Sequence, residues 1–149
     1  LVRRRRIVVA LDGSSRAEEV LPDAARIART LVGRLQLLAV ETIAAVGDPL
    51  SGISMPVSVS DPIPYLRDVC QRLSASGVSA IPVVRTGSAG LRIVEYAREV
   101  DAAMICMTTH GRTGLARMVM GSVAEQVLRT APCPVLVRRM AAVPAEVRS

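Results

Sequence analysis

Short apolar runs, bounded by glycine, proline or charged residues, recur along the chain with room for a helix between them. The runs are rich in valine, leucine and isoleucine, a pattern that favours strands buried on both faces of a parallel sheet. Five strands are predicted, at residues 7–11, 35–40, 78–84, 102–109 and 134–137. Pro82 lies within the third, and because proline cannot donate a ladder hydrogen bond, we expect that strand at a sheet edge.

Between these runs, apolar residues return at three- and four-residue spacing, which predicts amphipathic helices. The first helix follows Ser14 or Ser15 as a cap, contains Pro22 as a kink or near its first turns, and ends at Gly33. Further helices are predicted over residues 62–77 and 89–100 and from 121 onward. Residues 43–61 lack a sustained period and are predicted to form a long surface loop, and the tail 140–149 is predicted to be frayed.

This order of elements predicts an α/β fold: a single domain over residues 1–149, with a five-stranded parallel sheet flanked by helices on both faces and doubly wound. In such sheets, ligands bind outside the carboxyl ends of strands where the strand order reverses. Asp12 follows the first strand, and Thr109, His110 and Gly111 follow the fourth. If these two strands are neighbours, their polar residues converge on one small-molecule crevice.

Charge and composition narrow the classes of partner. The net charge is +6, all nineteen basic residues are Arg, and the only aromatic residues are two Tyr. Without aromatic side chains for stacking, the arginine run 3–6 is interpreted as the solvated start of a strand in preference to a nucleic-acid or lipid patch. No apolar run approaches the roughly 18 residues of a membrane span. We therefore expect a cytoplasmic protein that binds neither nucleic acid nor membrane.

Few residues offer catalytic or metal chemistry. Cys70, Cys106 and Cys133 are scattered within apolar patterns and are predicted to be buried thiols, and a single histidine rules out most zinc sites. His110 could act as a base, but no second His, Cys or positioned Ser completes a triad, which favours a structural hydrogen bond. Neither a catalytic residue nor a metal site is predicted.

A phosphate site is the stronger hypothesis. From residue 104 the chain runs from a predicted strand into a loop with glycine and arginine and then into a helix beginning near Gly121 and Ser122. Free amides at a helix start, aided by the helix dipole, bind anions. Two alternatives stay open: Asp12 could merely cap the helix that follows it, and Ser122 could be an ordinary N-cap.

These motifs resemble the universal stress protein family. The resemblance covers ALDGSS, LLAV and THGRTGLARMVMGSVAEQVL followed by APCPVLV. ATP-binding members share a motif of Gly, two residues, Gly, nine residues, Gly, then Ser or Thr. Gly111, the residues 112–120, Gly121 and Ser122 match it, whereas Thr108 stands in place of the first Gly. The resemblance implies a Rossmann-like fold similar to that of the adenine nucleotide alpha hydrolases.

The resemblance also implies the residues of a nucleotide site. Asp12 would contact the ribose, Val40 and Met107 would line the adenine pocket, Gly111 would let the backbone approach the phosphates, and the amides near Gly121 would bind them. Arg112 and Arg117 could screen phosphate charge. The implied cofactor-binding set is Leu11, Asp12, Gly13, Val40, Met107, Thr108, His110, Gly111, Arg112, Gly121, Ser122 and Val123.

Two functions remain open at this point. One is a stress-response sensor that binds ATP, or AMP or ADP, with Mg²⁺ held through the phosphates and at most slow hydrolysis, since the chain contains no Lys for a Walker-type loop. The other is a family member that binds no nucleotide and acts as a dimeric interaction module. In either case, the resemblance implies a homodimer formed through the last strand.

Overall fold

The computed structural model of the protein describes residues 4–47, 50, 52, 54–57, 60–109 and 120–139, with the backbone alone for 44–47 and 54–57. The strands in chain order are β1 Arg5–Ala10, β2 Gly33–Glu41, β3 Ala44–Gly47, β4 Ser54–Val57, β5 Ala80–Thr86, β6 Met104–Thr108 and β7 Val135–Arg138.

The α-helices are α1 Leu21–Leu31, α2 Ile63–Ala75, α3 Ala89–Glu99 and α4 Ser122–Thr130, and a 3₁₀ turn at Ala17–Val20 precedes α1. Each carries an apolar stripe that faces the sheet, which is why the three- and four-residue spacing predicts them. Within the described ranges, no helix has the length and apolar character needed to cross a bilayer.

The five-stranded sheet is parallel and has the order β5-β2-β1-β6-β7. Val9 of β1 pairs with Leu37 of β2 on one side and with Cys106 of β6 on the other. From β1 the chain passes outward through β2 to β5, then returns to β6 and continues to β7. The strand order therefore reverses between β1 and β6, as the doubly wound prediction requires. Pro82 lies in an edge strand, as predicted.

Hydrophobic cores cover both faces of the sheet. Ile7 and Val9 of β1 pack with α1 and α2 on one face, whereas Val8 packs with α3 and α4 on the other. All three side chains have no exposed surface. Successive residues of a strand point to opposite faces, so a strand covered on both sides needs a continuous apolar run.

The first helix differs from the prediction at both ends. A 3₁₀ turn is followed by α1, and Pro22 lies at the first positions of α1, where no intrahelical partner for its nitrogen is needed. Val32 ends α1 in the left-handed region, with φ of 52°, and Gly33 already belongs to β2. A Cβ on Gly33 would lie 3.0 Å from the Arg5 carbonyl oxygen, so the glycine permits close strand approach.

Residues 43–61, predicted to form a loop, contain regular structure. β3 and β4 pair antiparallel as a separate two-stranded sheet, with Val46 opposite Met55. The short strands lack the alternation of a half-buried strand because Gly, Pro and Ser interrupt the segment, so periodicity alone does not reveal them. The tail 140–149 lies outside the described residues.

A buried hydrogen bond joins the sheet to α3 and provides a test of the fold. The Tyr96 hydroxyl donates to Oε1 of Gln36 over 2.9 Å, and Gln36 is 3% exposed. Replacing Tyr96→Phe leaves a buried amide oxygen without its donor, so we expect the free energy of unfolding in denaturant to fall by about 1–3 kcal/mol. The double variant Gln36→Leu/Tyr96→Phe should recover part of that loss. Equal losses in both variants would contradict a hydrogen-bond origin.

Candidate functional site

A crevice opens at the carboxyl ends of β1 and β6, where the strand order reverses. Its volume is about 300 Å³. The lining combines apolar side chains with polar and backbone groups, and consists of Ala10, Leu11, Asp12, Ala17, Leu38, Val40, Ala89, Ile93, Met107, Thr108, Thr109, Gly121, Ser122, Val123 and Ala124.

Most of the predicted site residues meet there. Leu11, Asp12, Val40, Met107, Thr108, Gly121, Ser122 and Val123 all line the crevice. Gly13 does not line it, and instead makes the turn after β1 with φ of 86°, in the left-handed region that glycine tolerates. His110, Gly111, Arg112 and Arg117 lie outside the described residues, so their predicted roles stay predictions.

Helix α3 contributes a wall that the sequence analysis did not predict. Ala89, its first residue, and Ile93, one turn later, both line the crevice. The order of elements in the sequence contained a signal for this wall, because a helix that follows a parallel strand starts at the same edge as the carboxyl ends of the neighbouring strands. The wall formed by Ile93, Val40 and Met107 is apolar, which suits a ligand that carries a flat, weakly polar ring.

Asp12 is oriented by the turn that follows it. Its Oδ1 accepts hydrogen bonds from the Ser14 amide at 2.9 Å and from the Ser14 hydroxyl at 2.5 Å. The same hydroxyl oxygen accepts from the Ala17 amide at 3.1 Å. Asp12 therefore stabilises the turn and lines the crevice at once. The N-cap residues of the 3₁₀ turn and of α1 are Arg16 and Val20, so the alternative that Asp12 merely caps the following helix is wrong.

The 3₁₀ turn carrying Ala17 is itself fixed to α2. The Tyr65 hydroxyl donates to Glu18 Oε2 at 3.1 Å, and Arg72 Nη2 donates to Glu18 Oε1 at 2.7 Å. Burial, together with the Glu18 carboxylate, raises the pKa of the Tyr65 hydroxyl well above its ordinary value. The phenol thus keeps its proton and remains a donor throughout the physiological pH range.

The start of α4 presents backbone donors to the crevice. Gly121 is the N-cap and has no side-chain capping bond, and its own amide donates to the Thr109 carbonyl at 3.0 Å. The Glu125 amide makes the first intrahelical bond, to the Gly121 carbonyl, at 2.9 Å. The amides of residues 122–124 precede that bond, as orphan donors at a helix start do. Ser122 is the first helical residue, so the N-cap alternative for it is wrong.

Thr108 lies at the inner end of this arrangement. It is the last residue of β6, pairs with Arg138 of β7, and is 6% exposed while lining the crevice. Its Cβ and methyl group therefore occupy volume at the point where the matching motif has glycine.

The described residues offer little covalent or metal chemistry. No group of three or more His, Cys, Asp or Glu side chains that could hold a metal occurs in the described ranges. Burial raises the pKa of the Cys106 thiol to about 12, with Asp23 and Cys133 adding to the shift. Since the thiolate is the nucleophile, Cys106 is inert at neutral pH. The crevice is built for binding through apolar contact, one carboxylate and helix-start amides.

The sheet order and the position of the crevice define a doubly wound α/β protein with its ligand site at the reversal of strand order. A family model, described as the universal stress protein family, matches residues 3–139. The chain belongs to that family.

Individual relatives agree with this assignment. Universal stress protein MJ0531 of Methanocaldococcus jannaschii is 33% identical over 137 residues, covering 89% of this chain and 81% of the relative. Universal stress protein UspA from Lactobacillus plantarum has the same fold, with a TM-score of 0.74 at 23% identity over 93% of this chain and all of the other.

Two solved structures of the same fold contain adenine nucleotides. One is a universal stress protein in complex with cAMP, with a TM-score of 0.67, 24% identity, and coverage of 93% of this chain and 98% of the other. The second, from Archaeoglobus fulgidus in complex with dAMP, has a TM-score of 0.63 at 23% identity and covers 92% of this chain and 98% of its own.

The hydrogen bonds of the turn after Asp12 predict how replacing Ser14 changes stability. Ser14→Ala removes the donor to Asp12 and the acceptor for the Ala17 amide, so we expect the free energy of unfolding to fall by about 1–2 kcal/mol. Ser15→Ala is the matched control, because Ser15 is exposed, and it should change stability by less than about 0.5 kcal/mol. Thermal and denaturant unfolding measure both, and equal effects would disprove the role of Ser14.

Proposed function

We propose that the crevice binds an adenine nucleotide, ATP in the first instance, and that the protein acts as a sensor or signalling module in the stress response. One observation carries the proposal. The start of α4, whose N-cap Gly121 makes no side-chain capping bond, lines the same crevice as Asp12 and the apolar wall formed by Val40, Met107 and Ile93. The base of a nucleotide needs the apolar wall, its ribose needs the carboxylate, and its phosphate chain needs the amides at the helix start.

The apolar wall suits the adenine ring, and Asp12 can accept hydrogen bonds from ribose hydroxyls. The amides of residues 122–124 and the Ser122 hydroxyl can donate to phosphate oxygens, helped by the positive end of the α4 dipole. Since the described ranges hold no cluster of metal ligands, Mg²⁺ would be held through the phosphates. Gly111 and Arg112 are expected to complete the phosphate site.

The ligand class also draws support from the fold. Structures of two universal stress proteins with this fold were solved in complex with cAMP and with dAMP, so an adenine mononucleotide is compatible with the architecture. Thr108, which stands where the matching motif has glycine, is buried and lines the crevice. Its effect on a triphosphate can differ from its effect on a monophosphate, so AMP and ADP belong in the same measurement.

Hydrolysis is expected to be slow at most. The crevice has an acidic side chain in Asp12 but no lysine to stabilise transferred phosphate charge, since the chain contains none. A bound nucleotide would instead stabilise the folded state and so report nucleotide level. We place this function in the cytoplasm, where adenine nucleotides are abundant.

Nucleotide titration tests the proposal directly. We expect calorimetry and thermal shift with ATP, ADP and AMP, with and without Mg²⁺, to show saturable binding. Ser122→Ala should weaken it by about ten- to hundredfold, as expected for loss of one hydrogen bond to a charged group. The matched control is Ser88→Ala, because Ser88 lies at the start of a helix, as the N-cap of α3, but does not line the crevice.

A stronger variant is Asp12→Asn, which keeps the size of the side chain and its acceptor for Ser14 while removing the charge. Reduced affinity with an unchanged melting temperature of the free protein would assign Asp12 to the ligand. The proposal fails if no adenine nucleotide raises the melting temperature of the native chain.

Self-association is a second candidate function, favoured by the position of β7 as the outermost strand of the sheet within the described residues. The carbonyl groups of Pro134 and Arg138 accept hydrogen bonds from Ile105 and Thr109. Because main-chain groups of a strand alternate in direction, those of Val135 and Val137 point away from β6. An apolar edge strand with outward donors can pair with a second copy.

Proline at this edge tests that pairing. Val137→Pro removes an outward amide while keeping the bonds to β6, so we expect the homodimer to dissociate with little loss of fold. Sedimentation velocity measures the change, and Val137→Thr is the matched control that keeps the amide. A native chain that sediments as a monomer at all concentrations would contradict the homodimer, and nucleotide binding would be unaffected by that outcome.

A further inference from the structure

The amino ends of the strands, opposite the nucleotide crevice, gather arginines whose hydrogen-bond partners are neutral. Arg4 precedes β1, Arg29 lies in the last turn of α1, and Arg34 lies near the start of β2. Arg29 Nη2 donates to the Ser76 carbonyl at 3.0 Å, and Arg34 Nε donates to the Ser79 hydroxyl at 3.2 Å. The ion pairs among the described residues involve other arginines: Arg26, Arg72, Arg85, Arg92, Arg129 and Arg138.

Two of these side chains, Arg4 and Arg29, line a shallow depression of about 210 Å³, and Arg34 bonds to Ser79, which also lines it. Its lining includes Arg4, Arg29, Val32, Gly33 and Ser79. The carboxyl ends of α1 and α2 also lie at this edge, and each contributes about half a negative charge. The full charges of Arg4, Arg29 and Arg34 exceed that contribution, so the depression remains attractive to an anion of phosphate size.

Two exposed apolar residues, Leu31 and Val32, lie among these arginines and form an apolar tip. Val32 is 62% exposed and has φ of 52°, and its neighbour Leu31 is 37% exposed. A β-branched residue in the left-handed region is strained, whereas glycine is not. The chain therefore presents an apolar side chain to solvent at a backbone position that favours glycine, next to guanidinium groups.

We propose that this amino face, formed by Arg4, Arg29, Leu31, Val32 and Arg34, docks on a bilayer surface that carries anionic phospholipids. The guanidinium groups bind lipid phosphates, and Val32 and Leu31 contact the boundary between headgroups and acyl chains. Nucleic acid fits less well, because the two tyrosines of the chain, Tyr65 and Tyr96, are half-buried and buried and cannot stack on bases.

The acidic groups near this face leave its charge positive. Glu99, in the last turn of α3, is paired with Arg85. Asp101 is exposed where the chain turns from α3 towards β6, and it lowers the local charge by one. Arg6 offsets it at the same edge, where its Nη1 donates to the Val100 carbonyl at 3.1 Å. This arrangement changes the interpretation of the arginine run 3–6, which in sequence resembled only a solvated strand start.

Vesicle co-sedimentation tests the charge component. The native chain is expected to bind vesicles of phosphatidylglycerol mixed with phosphatidylcholine and to dissociate from them at high salt. It is expected not to bind vesicles of pure phosphatidylcholine. Arg4→Gln/Arg34→Gln should weaken binding by about twenty-five-fold, at roughly fivefold for each arginine near the surface. The control Arg26→Gln/Arg67→Gln removes the same formal charge from exposed positions on α1 and α2 and should change binding by less than about threefold.

Val32→Gly tests the apolar component without risking the fold. Glycine relieves the left-handed strain, so the melting temperature should rise, while vesicle binding weakens by about three- to tenfold because the apolar tip is lost. A merely structural role for Val32 would leave vesicle binding unchanged or improve it. Nucleotide affinity should be equal in all these variants, because the amino face lies at the opposite edge of the sheet.

Several results would overturn the proposal. These are failure of the native chain to bind anionic vesicles, equal binding to neutral vesicles, an arginine double variant that binds as well as the native chain, and unchanged vesicle binding in Val32→Gly. Binding of duplex DNA that anionic vesicles do not displace would instead assign the face to nucleic acid.

Discussion

The burial of β1 on both faces and along both edges is the constraint on which the rest of the structure depends. Ile7, Val8 and Val9 have no exposed surface, and β2 and β6 satisfy the backbone groups on either side. Because its faces and edges are covered, β1 is accessible only at its ends, and the chain leaves it at the carboxyl end. The chain departs from β1 towards α1 on one face and reaches α4 from β6 on the other. The crevice is the gap between those two departures.

The geometry of the sheet creates the crevice, and the polar groups that line it determine which ligands it can bind. Asp12 is held by the Ser14 turn, and the turn is held through Glu18 to Tyr65 and Arg72 of α2. The start of α4 is tied to the end of β6 by the bond from the Gly121 amide to the Thr109 carbonyl. Backbone donors and a carboxylate are thereby positioned before any ligand arrives, which lowers the entropic cost of binding.

The two ends of the sheet differ in the groups that carry their charge. All α-helices start at the carboxyl edge, and each carries an arginine in its last turn at the amino edge: Arg29, Arg72, Arg98 and Arg129. Helix dipoles favour anions at helix starts and cations at helix ends. At the amino face, however, Arg4 and Arg34 add charge beyond what two helix ends offset. The proposed nucleotide site and the proposed membrane face are therefore separated by the length of the sheet.

The sequence by itself determined the fold class, the approximate positions of the five strands of the parallel sheet and the residues that follow β1 and β6. The reason is that doubly covered strands need unbroken apolar runs and that ligand sites follow their carboxyl ends. It did not determine the β3–β4 hairpin or the split of the first helix at Pro22, because neither alters the apolar period enough to be recognised.

Only the tertiary structure placed Ala89 and Ile93 in the wall of the crevice and Ser122 inside the helix instead of at its cap. It alone gathered Arg4, Arg29, Val32 and Arg34 on one face. Those residues are distant in sequence or belong to different elements, and what brings them together is the pairing of parallel strands, which no local pattern encodes.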